Sequence, residues 1–364
     1  MWIYIITFII SFSFVLIGNN QRKKNIRWIF FILAILFPSL LAGFRDDTVG
    51  HDVLAYVTPC FNNILEINDW ELLVPYIILS DLEVFYIIFN FIITRFTDDI
   101  FWLYFAQQSI ALFLVLLTCE KLKHEINGPV VYLLYLLFFY CISLCIVRQA
   151  FAVSIIFFSF YYILNNKRIK FLLCAIIAML FHNSAVFAIV IFFLYQYAIN
   201  QKRPISFMKQ SLLITIGFSF VLLFPVIISF LLDIGLINSK FERYIDTEDR
   251  VHIIDLVITL ILYLFTIFAP KMYAHNNVLK IFVIVTSFLI LCGQYNDVAT
   301  RVTIYFTLFI IVNIARLATY SCHRKPILVG LVLLFLVRFL YLGYMSGIAE
   351  TIPYTSKRIG IYAF

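Results

Sequence analysis

Residues 28–42, WIFFILAILFPSLLA, contain no charged side chain and no alternation of apolar with polar residues. Similar runs recur along the chain, in which 63% of the 364 residues are hydrophobic and only 13% are charged. Runs of this length approach the thickness of the membrane hydrocarbon, where only helices or closed barrels satisfy the backbone. Because barrel strands alternate apolar with polar side chains, the sequence predicts an all-α, polytopic integral membrane protein.

Charged segments between the apolar runs set the predicted topology. Loops rich in lysine and arginine stay in the cytoplasm, and residues 21–27, QRKKNIR, form such a loop. They follow Met1–Ile17, which we interpret as a transmembrane helix rather than a cleavable signal, because no small-residue cleavage site follows it. We predict a single transmembrane domain over 1–364, with about twelve crossings and both termini outside. The predicted crossings are 1–17, 28–43, 100–118, 129–147, 149–164, two within 171–198, 211–232, 253–269, 278–293, 301–319 and 327–345.

Two segments depart from the simple pattern of apolar helix and charged loop. We predict that residues 44–99 form a loop on the outer face, with a short lip helix near Glu83–Arg95 that is too short to cross the membrane. The run 171–198 is longer than one span and short for two. We interpret it as a broken helical hairpin that turns at residues 181–185, FHNSA.

Arginine dominates the cations on the predicted outer side. Eight of the ten cations there are arginines, against six of the seventeen inside. Outer cations oppose the usual topology preference, so a specific role is expected, and the planar guanidinium binds phosphate through paired hydrogen bonds. For Arg301 the alternative is an ion pair with Asp297, four residues earlier, and for Arg148 it is contact with lipid headgroups. The candidates for diphosphate binding are Arg45, Arg148, Arg301 and Arg338.

Three motifs carry the candidate chemistry. In the first, residues 44–56, FRDDTVGHDVLAY, Asp52 and Tyr56 are expected to share a helix face because they are four residues apart. Alternatively, Asp46 or Asp47 caps the next helix, or the acidic side chains bind a cation.

The second motif, residues 147–152, VRQAFA, places Arg148 and Gln149 at the start of a helix, where an anion is favoured. The third, residues 180–185, LFHNSA, contains His182. We predict that Asp52 or His182 acts as a general base. The alternative for His182 is a hydrogen bond within the helix bundle.

Four stretches together resemble the EpsG family of Wzy-type polysaccharide polymerases. The resemblance implies a bacterial plasma (inner) membrane glycosyltransferase whose active site faces the outside or periplasm. Such proteins join polyprenyl-diphosphate-linked oligosaccharide repeats into capsule, exopolysaccharide or O-antigen chains. It implies no cofactor, no metal and no nucleic acid; the expected partners are membrane lipid, a flippase and a chain-length regulator. The four stretches are FRDDTVGHDVLAY (44–56), VRQAFAVSIIFFSFYYI (147–163), IIAMLFHNSAVFAIVIFFL (176–194) and IPYTSKR (352–358).

On this interpretation, a sugar hydroxyl attacks the anomeric carbon of the growing chain, and undecaprenyl diphosphate or a similar polyprenyl diphosphate leaves. Asp52 or His182 removes the proton. The residues expected to bind diphosphate and sugar are Arg45, Arg148, Arg301, Gln149, Tyr56 and Arg338. Two alternatives stay open: another outer-leaflet transferase, either a glycan ligase or an acyltransferase, and a transporter of lipid-linked glycans. A transporter would place its binding groups near the membrane midplane.

Overall fold

The computed structural model describes residues 1–201, 203–234, 253–268, 273–293 and 297–362. Within these residues the regular elements are helices, which confirms the all-α prediction. The chain divides into two compact units. Unit 1 comprises Met1–Val186 and Val329–Phe364, and unit 2 comprises Phe187–Leu328.

Unit 1 contains every predicted site residue except Arg301. Its helices are α1 (Trp2–Asn19), α2 (Lys24–Phe44), α3 (Thr58–Leu65), α4 (Trp70–Leu79), α5 (Val84–Thr94), α6 (Phe101–Lys121), α7 (Gly128–Tyr135), α8 (Cys141–Cys145), α9 (Val147–Leu164) and α10 (Arg168–Met179). A π-helical stretch at Val53–Val57 precedes α3, and a second one at Leu136–Tyr140 joins α7 to α8.

Unit 2 contains α11 (Phe187–Ile199), α12 (Phe207–Asp233), α13 (Ile253–Phe268), α14 (Tyr273–Cys292) and α15 (Asp297–Thr319). Within it, α14 packs against α11, α12, α13 and α15. The last long helix, α16 (Arg324–Met345), begins in unit 2 and continues in unit 1.

Eight of the described helical segments are long and apolar enough to cross a membrane, as expected of a polytopic membrane protein. They are Trp2–Asn19, Lys24–Phe44, Phe101–Lys121, Gly128–Cys145, Val147–Leu164, His275–Cys292, Val298–Thr319 and Arg324–Met345. The other four predicted crossings fall on α10 to α13. Of these, α10, α11 and α13 have only 12, 13 and 16 residues, and α12 and α13 flank residues 235–252, which lie outside the described residues. Twelve crossings and the sides of the termini therefore stay predictions.

Helices α2 and α6 run antiparallel and define two opposite ends of unit 1. At one end Arg27 Nη1 lies 2.6 Å from Glu120 Oε1. At the other end the rings of Phe44 and Phe101 are 4.9 Å apart. Each helix has 21 residues, so the two ends are about 30 Å apart. We call the Phe44–Phe101 end the site end.

The segment between α2 and α6 is largely helical and has its own buried core. It folds into the first π-helical stretch followed by α3, α4 and α5. The π-helical turn is closed by Thr58 N–H donating to the carbonyl of Val53, and Pro59, which has no N–H to continue an α-helical ladder, follows. The fully buried residues of this core include Val53, Val57, Phe61, Ile64, Leu73, Tyr86, Ile87, Leu103 and Val147. The core packs the segment onto α6 and the start of α9.

The C-terminal segment lies along the loop that follows α2. Asp46 N–H donates to the carbonyl of Thr355 at 3.0 Å, and Lys357 N–H donates to Asp46 Oδ1 at 2.9 Å. The hydroxyl of Tyr354 donates to the carbonyl of Leu41 at 2.8 Å. These bonds join parts of the chain about 310 residues apart in sequence, so the last residues hold the loop in place.

A left-handed turn at Gly347–Glu350 precedes this segment, and all four residues have φ between 44° and 68°. The carbonyl of Glu350 accepts a hydrogen bond from Gly50 N–H at 3.1 Å. Gly50 itself has φ of 102°, and a Cβ there would lie 2.9 Å from the Cα of Cys145. Only glycine fits this position without a shift in the backbone, so the loop approaches α8 closely.

Candidate active site

Arg45 directly follows α2 at the site end and is buried, with 4% of its surface exposed. Its Nε, Nη1 and Nη2 atoms have no hydrogen-bond partner among the described residues. A buried charge without hydrogen bonds or a counter-ion is unfavourable. The guanidinium therefore offers a set of unused donors that suits an anion.

The ring of Tyr104 supports this guanidinium. Arg45 Cζ lies 4.1 Å from the centre of the ring, which is a cation–π contact. The Tyr104 hydroxyl donates to Asp47 Oδ1 at 3.2 Å. The carboxylate of Asp47 therefore restrains the tyrosine rather than neutralising Arg45 through a hydrogen bond.

A second cluster at the site end joins Arg148, Glu83 and His182. Arg148 Nη1 lies 2.5 Å from Glu83 Oε2, and His182 Nδ1 lies 2.9 Å from Glu83 Oε1. The backbone N–H of Asn183 also donates to Glu83 Oε1, at 3.3 Å. The carboxylate of Glu83 thus links the second sequence motif, residues 147–152, to the third, residues 180–185.

Aromatic packing brings these three residues together. The chain leaves α10 after Met179 and continues in a short 3₁₀ turn at Asn183–Val186. In this break, the ring of Phe181 stacks on Phe151 of α9 at 4.9 Å and meets Phe85 of α5 edge-on at 5.6 Å. Phe181 directly precedes His182, and Phe85 follows Glu83 by two residues. The contact between the two rings therefore holds His182 close to Glu83.

The surroundings of Glu83 keep its carboxylate ionised. Burial alone would raise the pKa of Glu83, but the hydrogen bond with His182 and the charge of Arg148 outweigh burial and lower the pKa to about 2. The carboxylate is therefore a hydrogen-bond acceptor only, at every ordinary pH.

The first π-helical stretch connects the two clusters. Its Tyr56 ring lies 4.3 Å from Arg148 Cζ. The residue after the stretch is Thr58, whose hydroxyl is 3.5 Å from that of Tyr104, the ring beneath Arg45. The i,i+4 relation predicted for Asp52 and Tyr56 assumed α-helical geometry, whereas this turn is π-helical and begins just after Asp52.

The other predicted residues of unit 1 are buried near these clusters or deeper in the bundle. Asp52 and Gln149 are 7% and 1% exposed, and Gln149 lies in the first turn of α9 next to Arg148. Arg338 is 5% exposed and lies 4.6 Å from the ring centre of Phe138, on the second π-helical stretch. Arg338 therefore packs against a different element from Arg45 and Arg148.

Arg301 belongs to unit 2, where it lies in the second turn of α15. The side chain of Asp297, its alternative partner, lies outside the described residues. A role for Arg301 in substrate binding stays a prediction.

Sequence reasoning missed two residues that organise the site, Glu83 and Tyr104. Glu83 was assigned only to the boundary of a lip helix. A carboxylate directly before the apolar run VFYIIF was a usable signal, because such a charge needs a partner. Tyr104 is one of 22 tyrosines, and nothing in its local sequence distinguishes it.

An open cleft lies between the loop after α2 and the left-handed turn. Hydroxyl groups and a carboxylate contribute to its lining, which is the type of surface that can bind a sugar. The lining residues are Thr48, Ser346, Gly347, Glu350, Ile352, Pro353 and Thr355.

Comparison with known proteins gives one match. The model of the EpsG family matches residues 28–356, which is most of the chain and includes both clusters. No match was found among curated proteins or among solved structures. The chain belongs to the EpsG family, which is a bacterial family of Wzy-type, glycosyltransferase-like polymerases in polysaccharide biosynthesis.

Proposed function

We propose that this EpsG-family protein polymerises polyprenyl-diphosphate-linked oligosaccharide repeats at the outer face of a bacterial plasma membrane. The family supports a polysaccharide polymerase, and the eight apolar spans support a membrane-bound substrate. The observation that carries the lipid-diphosphate donor is Arg45, a buried guanidinium with unused donors.

The guanidinium of Arg45 suits a diphosphate ligand. Its five N–H donors lie in one plane and match the spacing of phosphate oxygens. Tyr104 lies against the face of that plane and leaves its edge available. Negative charge grows on the diphosphate as its bond to the sugar breaks. Arg45 would therefore stabilise the transition state more than the bound substrate.

The reaction requires a proton acceptor as well as an anion site. A hydroxyl oxygen of the incoming repeat unit bonds to the anomeric carbon of the growing chain. The bond from that carbon to the diphosphate oxygen breaks, and the polyprenyl diphosphate leaves with the electron pair. We propose His182 or Asp52 as the acceptor of the hydroxyl proton, and the cluster with Glu83 favours His182.

The remaining predicted residues have supporting roles in this proposal. Tyr56 and Gln149 flank Arg148 and would contact the diphosphate or the first sugar. Arg301 and Arg338 are proposed as further contacts to the anionic lipid. The cleft with Thr48 and Glu350 would bind sugars of the growing chain. Because the donor sugar is already activated by its diphosphate, the reaction requires no nucleotide sugar.

Deletion of the gene and sizing of the surface glycan test the proposed function. A polymerase defect leaves single repeat units on lipid and on the surface, and the wild-type gene restores the full length distribution. Free polymer would indicate a ligase, and unchanged chain length would indicate an acyltransferase. A second arm adds purified lipid-diphosphate-linked repeats to vesicles containing the protein. Translocation without joining would indicate a transporter and contradict the proposal.

A further inference from the structure

We infer that Glu83 is a positioning residue for this reaction. It orients His182 so that Nε2 is the atom that accepts the proton, and it holds Arg148 beside that histidine. The inference rests on the proposed function, since it assigns a role in the same site.

The two carboxylate oxygens of Glu83 are engaged separately. Oε2 lies 2.5 Å from Arg148 Nη1, and Oε1 lies 2.9 Å from His182 Nδ1. Although Glu83 is the residue at the N-cap of α5, its side chain makes no capping hydrogen bond. Helix α5 therefore gains no cap from this buried side chain, which contacts two other motifs instead.

Hydrogen-bond chemistry then fixes the tautomer of the histidine. An ionised carboxylate can only accept, so the proton shared with Glu83 must be on Nδ1. The neutral imidazole consequently carries its lone pair on Nε2, at the opposite side of the ring. His182 Nε2 makes no hydrogen bond with the described residues. This is the arrangement that a general base requires, with the acceptor atom available to a substrate hydroxyl.

A structural ion pair at the opposite end of unit 1 provides a contrast. Glu120 Oε1 lies 2.6 Å from Arg27 Nη1 and 2.9 Å from Lys123 Nζ, and its side chain is buried to a similar degree. Both partners of Glu120 are permanent cations near neutral pH, so neither can accept a proton. The cluster of Glu83 differs because one of its partners is a histidine.

The test replaces each carboxylate by its neutral isostere, Glu83→Gln and Glu120→Gln, and measures joining of lipid-linked repeats in vesicles. We expect Glu83→Gln to lower kcat at least about 100-fold with little change in KM, because the amide can donate to Nδ1 and place the proton on Nε2. Glu120→Gln should change kcat by less than about threefold, because Glu120 lies at the opposite end of unit 1 and acts independently of the site.

The pH profile separates positioning from simple loss of structure. The charged and titratable groups in contact with this cluster include Arg148 from α9 and His182 from the break after α10, with Tyr56 facing Arg148 from the π-helical stretch. We expect the pH profile of kcat to differ from wild type in Glu83→Gln, because the amide no longer fixes the proton on Nδ1 of His182. Glu83→Asp, which keeps the carboxylate, should restore the wild-type profile.

A double-mutant cycle with His182→Ala makes the inference falsifiable even if activity falls for other reasons. If Glu83 acts through His182, then Glu83→Gln should cause little further loss in the His182→Ala background. Losses that multiply, or an unchanged profile in Glu83→Gln, would overturn the inference while the wild-type protein still makes polymer. If Glu83→Gln does not accumulate in membranes, the same cycle is made with Glu83→Met, which also removes the carboxylate. A wild-type protein that joins no repeats would instead refute the proposed function.

Discussion

Arg45 and Arg148 lie at the same end of unit 1, and each guanidinium lies against a tyrosine ring, at 4.1 and 4.3 Å. They differ in their partners. Arg148 is paired with the buried carboxylate of Glu83, whereas the nitrogens of Arg45 have no hydrogen-bond partner among the described residues. The difference teaches that two arginines at the same end of unit 1 need not have the same role. Arg45 is available to a ligand, and Arg148 is part of a built ion-pair network.

Arg45→Met should produce the largest effect on activity and the most unusual effect on stability. We expect polymer formation to fall about 100- to 1000-fold, the usual loss when a donor to a developing negative charge is removed. The free energy of unfolding should stay equal or increase, because a buried unpaired charge is replaced by an apolar side chain. Chain sizing and thermal unfolding in detergent measure the two quantities. A strongly destabilised but active Arg45→Met protein would reverse the assignment.

Arg148→Ala should lose both activity and stability. It leaves Glu83 buried without its cation, which costs about 3 kcal/mol of unfolding free energy when a buried pair is broken. Adding Glu83→Gln to Arg148→Ala should recover much of the stability and none of the activity. Thermal unfolding of the single and double variants measures the recovery. Stability equal to wild type in Arg148→Ala alone would remove the distinction between the two arginines.

Tyr104→Leu should have an intermediate effect, specific to Arg45. Removal of the ring abolishes a cation–π contact worth about 1 kcal/mol, so we expect polymer formation to fall roughly fivefold to tenfold. Tyr104→Phe keeps the ring and loses the hydroxyl contacts with Asp47 and Thr58, so its activity should lie close to wild type. Initial rates of repeat joining compare the two, and equal losses would show that the hydroxyl, not the ring, supports Arg45.

Arg358→Gln should have the smallest effect. Its guanidinium makes two hydrogen bonds to Asp99, at 2.6 and 2.5 Å, but both side chains are partly exposed. Exposed pairs contribute less than about 1 kcal/mol. We therefore expect a small fall in the melting temperature and normal polymer length. A loss of polymer as large as that of Arg45→Met would place Arg358 in the anion site.

The sequence was sufficient for the long helices. Apolar length predicts Lys24–Phe44 and Phe101–Lys121 directly, because the membrane fixes the length of a spanning helix. It was not sufficient for the segment between them, where side chains pack on one another in short helices. Nor could it pair Glu83 with His182, since 99 residues separate them and only the aromatic stack around Phe181 brings them into contact.

The hydrogen bonds between the C-terminal segment and the loop around Arg45 also bear on biosynthesis. The two residues flanking Arg45 are both bound to that segment, Phe44 by Ser356 and Asp46 by Thr355 and Lys357. A nascent chain therefore lacks these restraints until residues 355–357 have left the ribosome and reached the same side as the loop. We expect the protein to become active only after this segment has been synthesised and has paired with the loop, and chains stopped before residue 351 to be inserted but inactive in glycan sizing.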